Sequence, residues 1–322
     1  MRKANRRPVR DLSKNPLARP LANRFREIVS GAKDGKPDWA QLMALGNDEG
    51  FFGPESAVWQ VHGCVGTIVG GIRALLLQAA HPAPLAGVAQ HSRYSSDPLG
   101  RLAGTTKWLT ITSFASTEVI HKEAMRVNAM HSRVRGEFET KSGAINNYRA
   151  QDPRFLLWVH CAFTDSFLKA HQFLGYKIDK GADTYISEWA KSAEPLGLLN
   201  APHTVSELEN ELNSYRKSEL AHVGMTDEVV NFILHPPFSK LGLLFYGVLA
   251  RAAIYTLDDR DRELLRLKKP SVVWLKISRI SLDFLSAILG HESPSQKIAR
   301  ARIARIRAAK PANQRDIFLK DT

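Results

Sequence analysis

Apolar residues along this chain recur at helical rather than strand spacing. Ile120, Ala124, Val127, His131 and Val134 follow one another at intervals of four, three, four and three, so one helix face carries them all. A second stripe, Leu156, His160, Phe163, Phe167 and Leu174, opens at Asp152-Pro153, an N-cap residue followed by a first-turn proline, and runs to Gly175. Each stripe sets an imidazole among apolar neighbours. A buried imidazole must hydrogen-bond, bind a metal or incur a desolvation cost of roughly a few kcal/mol.

The rest of the chain reads the same way. A helix is expected from near Asn23 and a short helical pattern over 38–45, before Gly53-Pro54 interrupts. A long apolar segment, Val58 to Ala80, follows. Its Gly63, Gly66, Gly70 and Gly71 form a smooth strip that lets a neighbouring helix, or a flat ligand, approach the backbone. His81-Pro82 ends that segment, a loop is expected to Ser96, and Asp97-Pro98 starts a helix through about Leu109. Ser116-Thr117-Glu118 is the expected cap of the His131 helix, and Gly136, after Arg133 and Arg135, its expected stop. Thr204 with Glu207 forms a capping box before Leu208–Leu220, and Thr226 is the expected cap of a helix ending at His235-Pro236-Pro237. Helical spacing continues through 241–266, 272–289 and 296–309. There is no convincing run of alternating strand positions and no internal repeat. The expected fold is all-α: a single multi-helix bundle of roughly ten helices, with a cofactor slot between core helices.

Charge divides the chain into three parts. The net charge is +13, of which +7 lies in residues 1–25 and +5 in 291–322, so the body, 26–290, is nearly neutral. The N-terminal arm, with Pro8, Pro16 and Pro20, reads as disordered or loosely docked. Lys297 to Lys310, with Ile298, Ile303 and Ile306 among arginines, reads as a basic helix leading into a tail. Such ends suit an anionic membrane surface, although charge runs are more often simply solvated. No aromatic residues interleave with these arginines, so no specific nucleic-acid partner is expected.

Cys64 and Cys161 sit in apolar surroundings and read as reduced thiols, and no continuous apolar segment follows Arg6-Arg7. A cytoplasmic protein is expected, with peripheral attachment to a membrane through the tails left open. The longest apolar stretches, 64–80 and 241–257, contain Arg73 and Arg251 and are too short or too charged to span a bilayer.

None of the eleven histidines falls in a zinc or di-iron pattern, and there is no Cys-x-x-Cys. A Gly-x-Ser-x-Gly elbow, a phosphate-binding Walker loop and a dinucleotide Gly-x-Gly-x-x-Gly are missing as well, which argues against hydrolase, nucleotidase and dinucleotide chemistry. Single histidines on apolar faces remain. They admit two uses, a structural hydrogen bond or the one axial imidazole that haem iron requires.

Several ordered motifs narrow this. Leu75-Leu-Leu-Gln-Ala-Ala-His81-Pro, Gly87-Val-Ala-Gln-His91-Ser, Asp97-Pro-Leu-Gly-Arg101-Leu-Ala-Gly-Thr105, Met130-His131-Ser-Arg-Val-Arg-Gly136 and Asp152-Pro-Arg-Phe-Leu-Leu-Trp158-Val-His160 occur in this order. Over residues 50–260 the chain resembles the family of the latex-clearing rubber oxygenases and the mycophenolic-acid-pathway oxygenase. That resemblance implies an all-helical protein that binds haem b and cleaves carbon–carbon double bonds of isoprenoid chains with dioxygen. It implies His131 as the ligand of the haem iron and His160 as a second histidine near the haem. Arg101 then becomes a candidate partner for a haem propionate, and Thr105 a candidate to orient dioxygen. His81 and His91 match family positions around a proline-containing loop, where a structural hydrogen bond is the expected use.

The chain also departs from the rubber-cleaving branch. Asn128 replaces an arginine three residues before the proximal histidine, and Gly104 stands where a distal lysine is found. Lys107, three residues on, would project differently from a helix. An open or water-ligated distal side is expected, and rubber is not the expected substrate. The leading expectation is a haem-b oxygenase acting with dioxygen on a lipophilic, isoprenoid or otherwise unsaturated substrate. The competing one is a non-catalytic haem or lipophile carrier, held peripherally on a membrane by its basic tails.

Overall fold

The computed structural model describes residues 11–33, 35–91 and 98–309, with the main chain alone at 88–91 and 98–101. Helix α1 (Arg19–Ser30) closes on Gly31 in the left-handed conformation, and a 3-10 turn covers Asp38–Ala44. The apolar segment expected from 58 to 80 is two helices, α2 (Ala57–His62) and α3 (Thr67–Gln78). Proline then starts a helix rather than a loop: α4 spans Pro82–His91, its fixed φ suiting the first turn. Two longer helices follow, α5 (Pro98–Phe114) and α6 (Thr117–His131).

The chain next forms a hairpin that helical periodicity does not predict. Strands β1 (Arg135–Glu139) and β2 (Ile145–Arg149) pair antiparallel, with Gly136 opposite Tyr148 and Phe138 opposite Asn146. Gly136 is therefore a strand residue and not the stop of α6, which ends at His131. Tyr148, with Phe138 packed against it, closes over Ala83 of α4 and Phe155, a small satellite core. Gly87 permits this approach, since a Cβ there would collide with the Tyr148 ring.

Helix α7 (Pro153–Phe173) is the axis of the molecule. Trp158, Cys161, Ala162, Phe167, Leu168 and Ala170 are buried on several of its sides, as expected for a helix enclosed by others. The Asp152 carboxylate accepts from Arg154 N–H at 2.9 Å, the cap expected from the sequence. Around α7 stand α2, α3, α4, α8 (Ala182–Ala190), α9 (Val205–Ser218) and α11 (Lys240–Thr256). The nearest is α3: a Cβ on Gly70 would lie 3.1 Å from the Phe167 Cα. Arg73, the charge that interrupts the apolar stretch, meets Asp165 of α7 at 2.6 Å and donates to Ser166 Oγ at 2.8 Å.

A 3-10 turn at Glu194–Leu196, α10 (Thr226–Leu234), α12 (Asp259–Leu264), α13 (Val273–Leu289) and α14 (Pro294–Ala309) complete the fold. The described residues form fourteen α-helices, two 3-10 turns and one two-stranded sheet, a mostly α protein. Thr204 caps α9, accepting from Glu207 N–H, while Glu207 accepts from His203 N–H. Thr226 does not cap α10 as expected; Met225 holds the cap position and the Thr226 hydroxyl accepts from Val223 N–H. Helix α14 docks on the first 3-10 turn and α5 and buries Ala299, Arg302 and Ile303. No helix among the described residues is long and apolar enough to cross a membrane.

Candidate functional site

Ten of these helices leave space between them. A cavity of about 940 Å³ is walled by Gly71 and Leu75 of α3, Thr105 and Leu109 of α5, and Phe163 and Phe167 of α7, with α10, α11 and α13 closing its far side. The glycine strip of α3 divides between its two possible uses. Gly63, Gly66 and Gly70 each have a neighbour against them, from Gln296, Tyr176 and Phe167 respectively. Gly71 has none within 4 Å of an added Cβ, and it faces the cavity. One glycine position thus separates close helix packing from open volume.

His62 contributes to the wall although no sequence motif marks it. Ser113 Oγ donates to the Leu109 carbonyl at 2.6 Å, so it must accept from His62 Nδ1–H at 2.9 Å. This assigns the proton to Nδ1, and Nε2 then accepts from the Tyr185 hydroxyl at 3.0 Å. Burial pulls the ring's pKa down to about 3, so it stays neutral. The far end of the cavity is polar. There Arg279 lies 3.7 Å over the Tyr176 ring and pairs with Asp283 at 2.9 Å.

The histidines singled out from the sequence fall on faces of the expected kind. On α6, Ile120, Ala124 and Val127 are buried, and His131 closes the stripe half-buried at the C-terminus. Its Nδ1 is buried with no hydrogen-bond partner, and burial lowers its pKa. His160 on α7 has a buried, unpartnered Nε2, and burial pulls its pKa to about 4. Leu156, His160 and Phe163 each retain accessible surface on this enclosed helix. Of the three, Phe163 reaches the cavity, and from α5 so does Thr105. His131 and His160 are not part of that cavity's wall. The backbone of Arg101 lies in the first turns of α5, and its side chain is outside the described residues, as is that of His91.

Other positions have evident structural duties. His81 Nδ1 accepts from Ala83 N–H at 3.2 Å, and its Nε2 faces Glu219 at 3.3 Å, the structural use expected of it. Lys107 is tied to the buried carboxylate of Glu123 at 3.0 Å, a carboxylate that Arg126 also holds. It is not free to act as a substitute for a distal lysine. Asn128 donates to the Pro195 carbonyl at 3.1 Å and so anchors α6 to the 194–196 turn. An added Cβ at Gly104 would meet nothing within 4 Å.

Buried polar atoms without partners require a reason. Imidazoles whose pKa is lowered by burial, each with an uncommitted nitrogen, suit ligation of an iron held by a porphyrin. No three His, Cys, Asp or Glu side chains converge among the described residues, so these residues form no cage for a bare cation. The unpartnered nitrogen of His131 suits a haem-iron ligand, and the ring itself lies outside the wall of the cavity described above.

A family model described as ER-bound oxygenase mpaB/B'/Rubber oxygenase, catalytic domain, matches residues 59–285. That span takes in α3 to α12 and most of α13, with Thr105, His131 and His160 inside it. No curated protein and no solved structure matches the chain.

Proposed function

The chain belongs to the oxygenase family of mpaB and the rubber oxygenases, and on that premise we propose that it is a haem-b-dependent oxygenase acting with dioxygen on a lipophilic, unsaturated substrate, isoprenoid chains included. The observation that carries the haem assignment is the buried, unpartnered nitrogen of the His131 ring. His131 would hold the iron, with His160 close to the haem. Haem, when bound, supplies the dioxygen redox chemistry that no side chain provides. Arg101 would pair with a propionate through its planar fork.

The protein's own contribution is to bind, orient and keep out water. The cavity wall is largely apolar and matches the upper size range of ligand pockets, about 300–1,000 Å³. A hydrocarbon chain would gain roughly 25 cal/mol for each Å² of apolar surface transferred there from water. Thr105, which stands on that wall while His131 does not, keeps from the resemblance its role of orienting dioxygen, and His62 would present a neutral ring that takes no proton at physiological pH. Gly104 carries no side chain and Lys107 is engaged by Glu123, so neither would cap the iron, which supports a site open to a small molecule. The unpaired state of Cys64 and Cys161 supports a reducing, cytoplasmic setting for this activity.

His131→Ala tests the assignment directly. The purified variant should lose the Soret band while keeping its circular dichroism, and a band of wild-type intensity would remove His131 from the ligand role. Oxygen-electrode measurements with prenyl substrates then separate turnover from carriage. Consumption with aldehyde or ketone products marks the oxygenase. Reversible oxygen binding without products marks a carrier, a reading that the empty position at Gly104 favours.

A further inference from the structure

We propose that the outer face of α11 and α13 is a docking surface for an anionic phospholipid bilayer. The two helices lie side by side and antiparallel: Ser278 Oγ donates to the Val248 carbonyl at 3.0 Å, and the Arg251 guanidinium sits 4.7 Å over the Trp274 ring. This pairing sets the N-terminal turn of α11 beside the C-terminal half of α13. Leu241 and Leu244 on one helix, and Ile280 and Phe284 on the other, are 76%, 70%, 63% and 56% exposed. On α13, Val273, Ile277, Ile280 and Phe284 follow at four, three and four residues, a continuous stripe turned outward while Leu275, Leu282 and Leu285 are buried on the inner side. Scattered single leucines are ordinary on a surface, but neighbouring exposed apolar residues on two packed helices are not.

Charge identifies the occupant. Helices α11 and α13 carry Lys240, Arg251, Lys276 and Arg279 against a single acid, Asp283, which Arg279 already holds at 2.9 Å. Lys240, Arg251 and Lys276 are exposed. An apolar stripe edged by cations, with Trp274 at one end, matches a helix pair lying in the headgroup region of an anionic leaflet. A second copy of the chain fits less well, because apposing the same face would bring two basic margins together. The cavity adds a reason for the location. It reaches Phe238 and Ser286, at the same end of the helix pair as Leu241 and Phe284, so a lipophile leaving the bilayer at this face would be next to the cavity.

The test is co-sedimentation of the full-length protein with phosphatidylcholine vesicles, with and without phosphatidylglycerol. The wild-type protein should pellet with the phosphatidylglycerol vesicles. Ile280→Glu/Phe284→Glu should weaken partitioning by about tenfold or more. Leu199→Glu, at an exposed leucine far along the chain from this face, should leave partitioning unchanged, and all variants should keep the wild-type melting temperature. Failure of the wild-type protein to pellet, or equal pelleting of the double variant, would overturn the proposal. So would a wild-type dimer in light scattering that the double variant converts to a monomer, which would assign the face to a second copy. Sedimentation needs neither substrate nor oxygen, so its outcome is separate from that of the oxygenase reading.

Discussion

At the scale of single residues, two neighbouring glycines of α3 make opposite predictions. A methyl group at Gly70 would meet the Phe167 backbone and ring, so Gly70→Ala should destabilise the protein by about 1–3 kcal/mol in urea unfolding. Gly71→Ala points into open volume and should be neutral or stabilising by about 0.5–1 kcal/mol, because a helix interior favours alanine. The histidines predict a pH dependence. Burial is the first cause in each case and holds His160 and His171 at about 4 and His62 at about 3, below their ordinary 6.5. Above pH 6.5 the rings are neutral in both folded and unfolded chains and contribute nothing. As pH falls below that value, the unfolded chain takes up protons that the folded one refuses, so stability should decline from pH 6.5 to about 4. The limit is about 1.4 kcal/mol per pH unit per site. Melts in this window, mostly above the titration of the carboxylates, would show the decline; a flat profile would mean that the rings are accessible to protons. His131 and His160 were legible in the sequence as imidazoles on apolar faces because a 3.6-residue period states which side faces inward. His62 was not, because its hydrogen-bond partners Ser113 and Tyr185 lie 51 and 123 residues away.

At the scale of elements, local chemistry was a good guide where it was strong and failed where a distant group intervened. Asp152 and Thr204 cap their helices as read from the chain. Ser116 occupies the cap position of α6, yet its side chain caps nothing. Asp48 reaches across instead and accepts from both Thr117 N–H, at 2.9 Å, and the Thr117 hydroxyl, at 3.0 Å. Asp48→Ala should therefore cost about 1–2 kcal/mol and Ser116→Ala less than about 0.5 kcal/mol, measured by thermal unfolding. Helix α4 escaped the reading because its first residues, Pro-Ala-Pro, resemble a break unless proline is placed in a first turn. The hairpin escaped it because the strands are five residues each, with a glycine on the face where an apolar side chain would signal alternation. Its inward side exists only because Ala83 and Phe155 are there to receive it.

At the scale of the molecule, the basic C-terminal region behaves as part of the body as far as residue 309. Arg302 is buried and donates to the carbonyls of Met43, at 2.7 Å, and Phe114, at 3.0 Å. Arg307 pairs with both Glu49, at 2.7 Å, and Glu55, at 3.0 Å. Arg302→Ala leaves three carbonyls, those of Met43, Glu49 and Phe114, without this donor and should destabilise the fold by about 2–3 kcal/mol. Arg305→Ala, at an exposed position, should cost less than about 0.5 kcal/mol in the same unfolding experiment.

The helical class, the faces on which His131 and His160 lie, and the oxygenase family were all present in the one-dimensional pattern. Periodicity and ordered motifs survive without knowledge of what packs against what. The tertiary structure alone decided that Gly70 closes a helix contact while Gly71 opens onto a cavity, that Arg73 finds Asp165, and that Lys107 is spent on Glu123. Each of these depends on a group sixteen or more residues away or on the absence of any group at all. Close packing and electrostatic pairing act through space, and no local spacing rule carries that information.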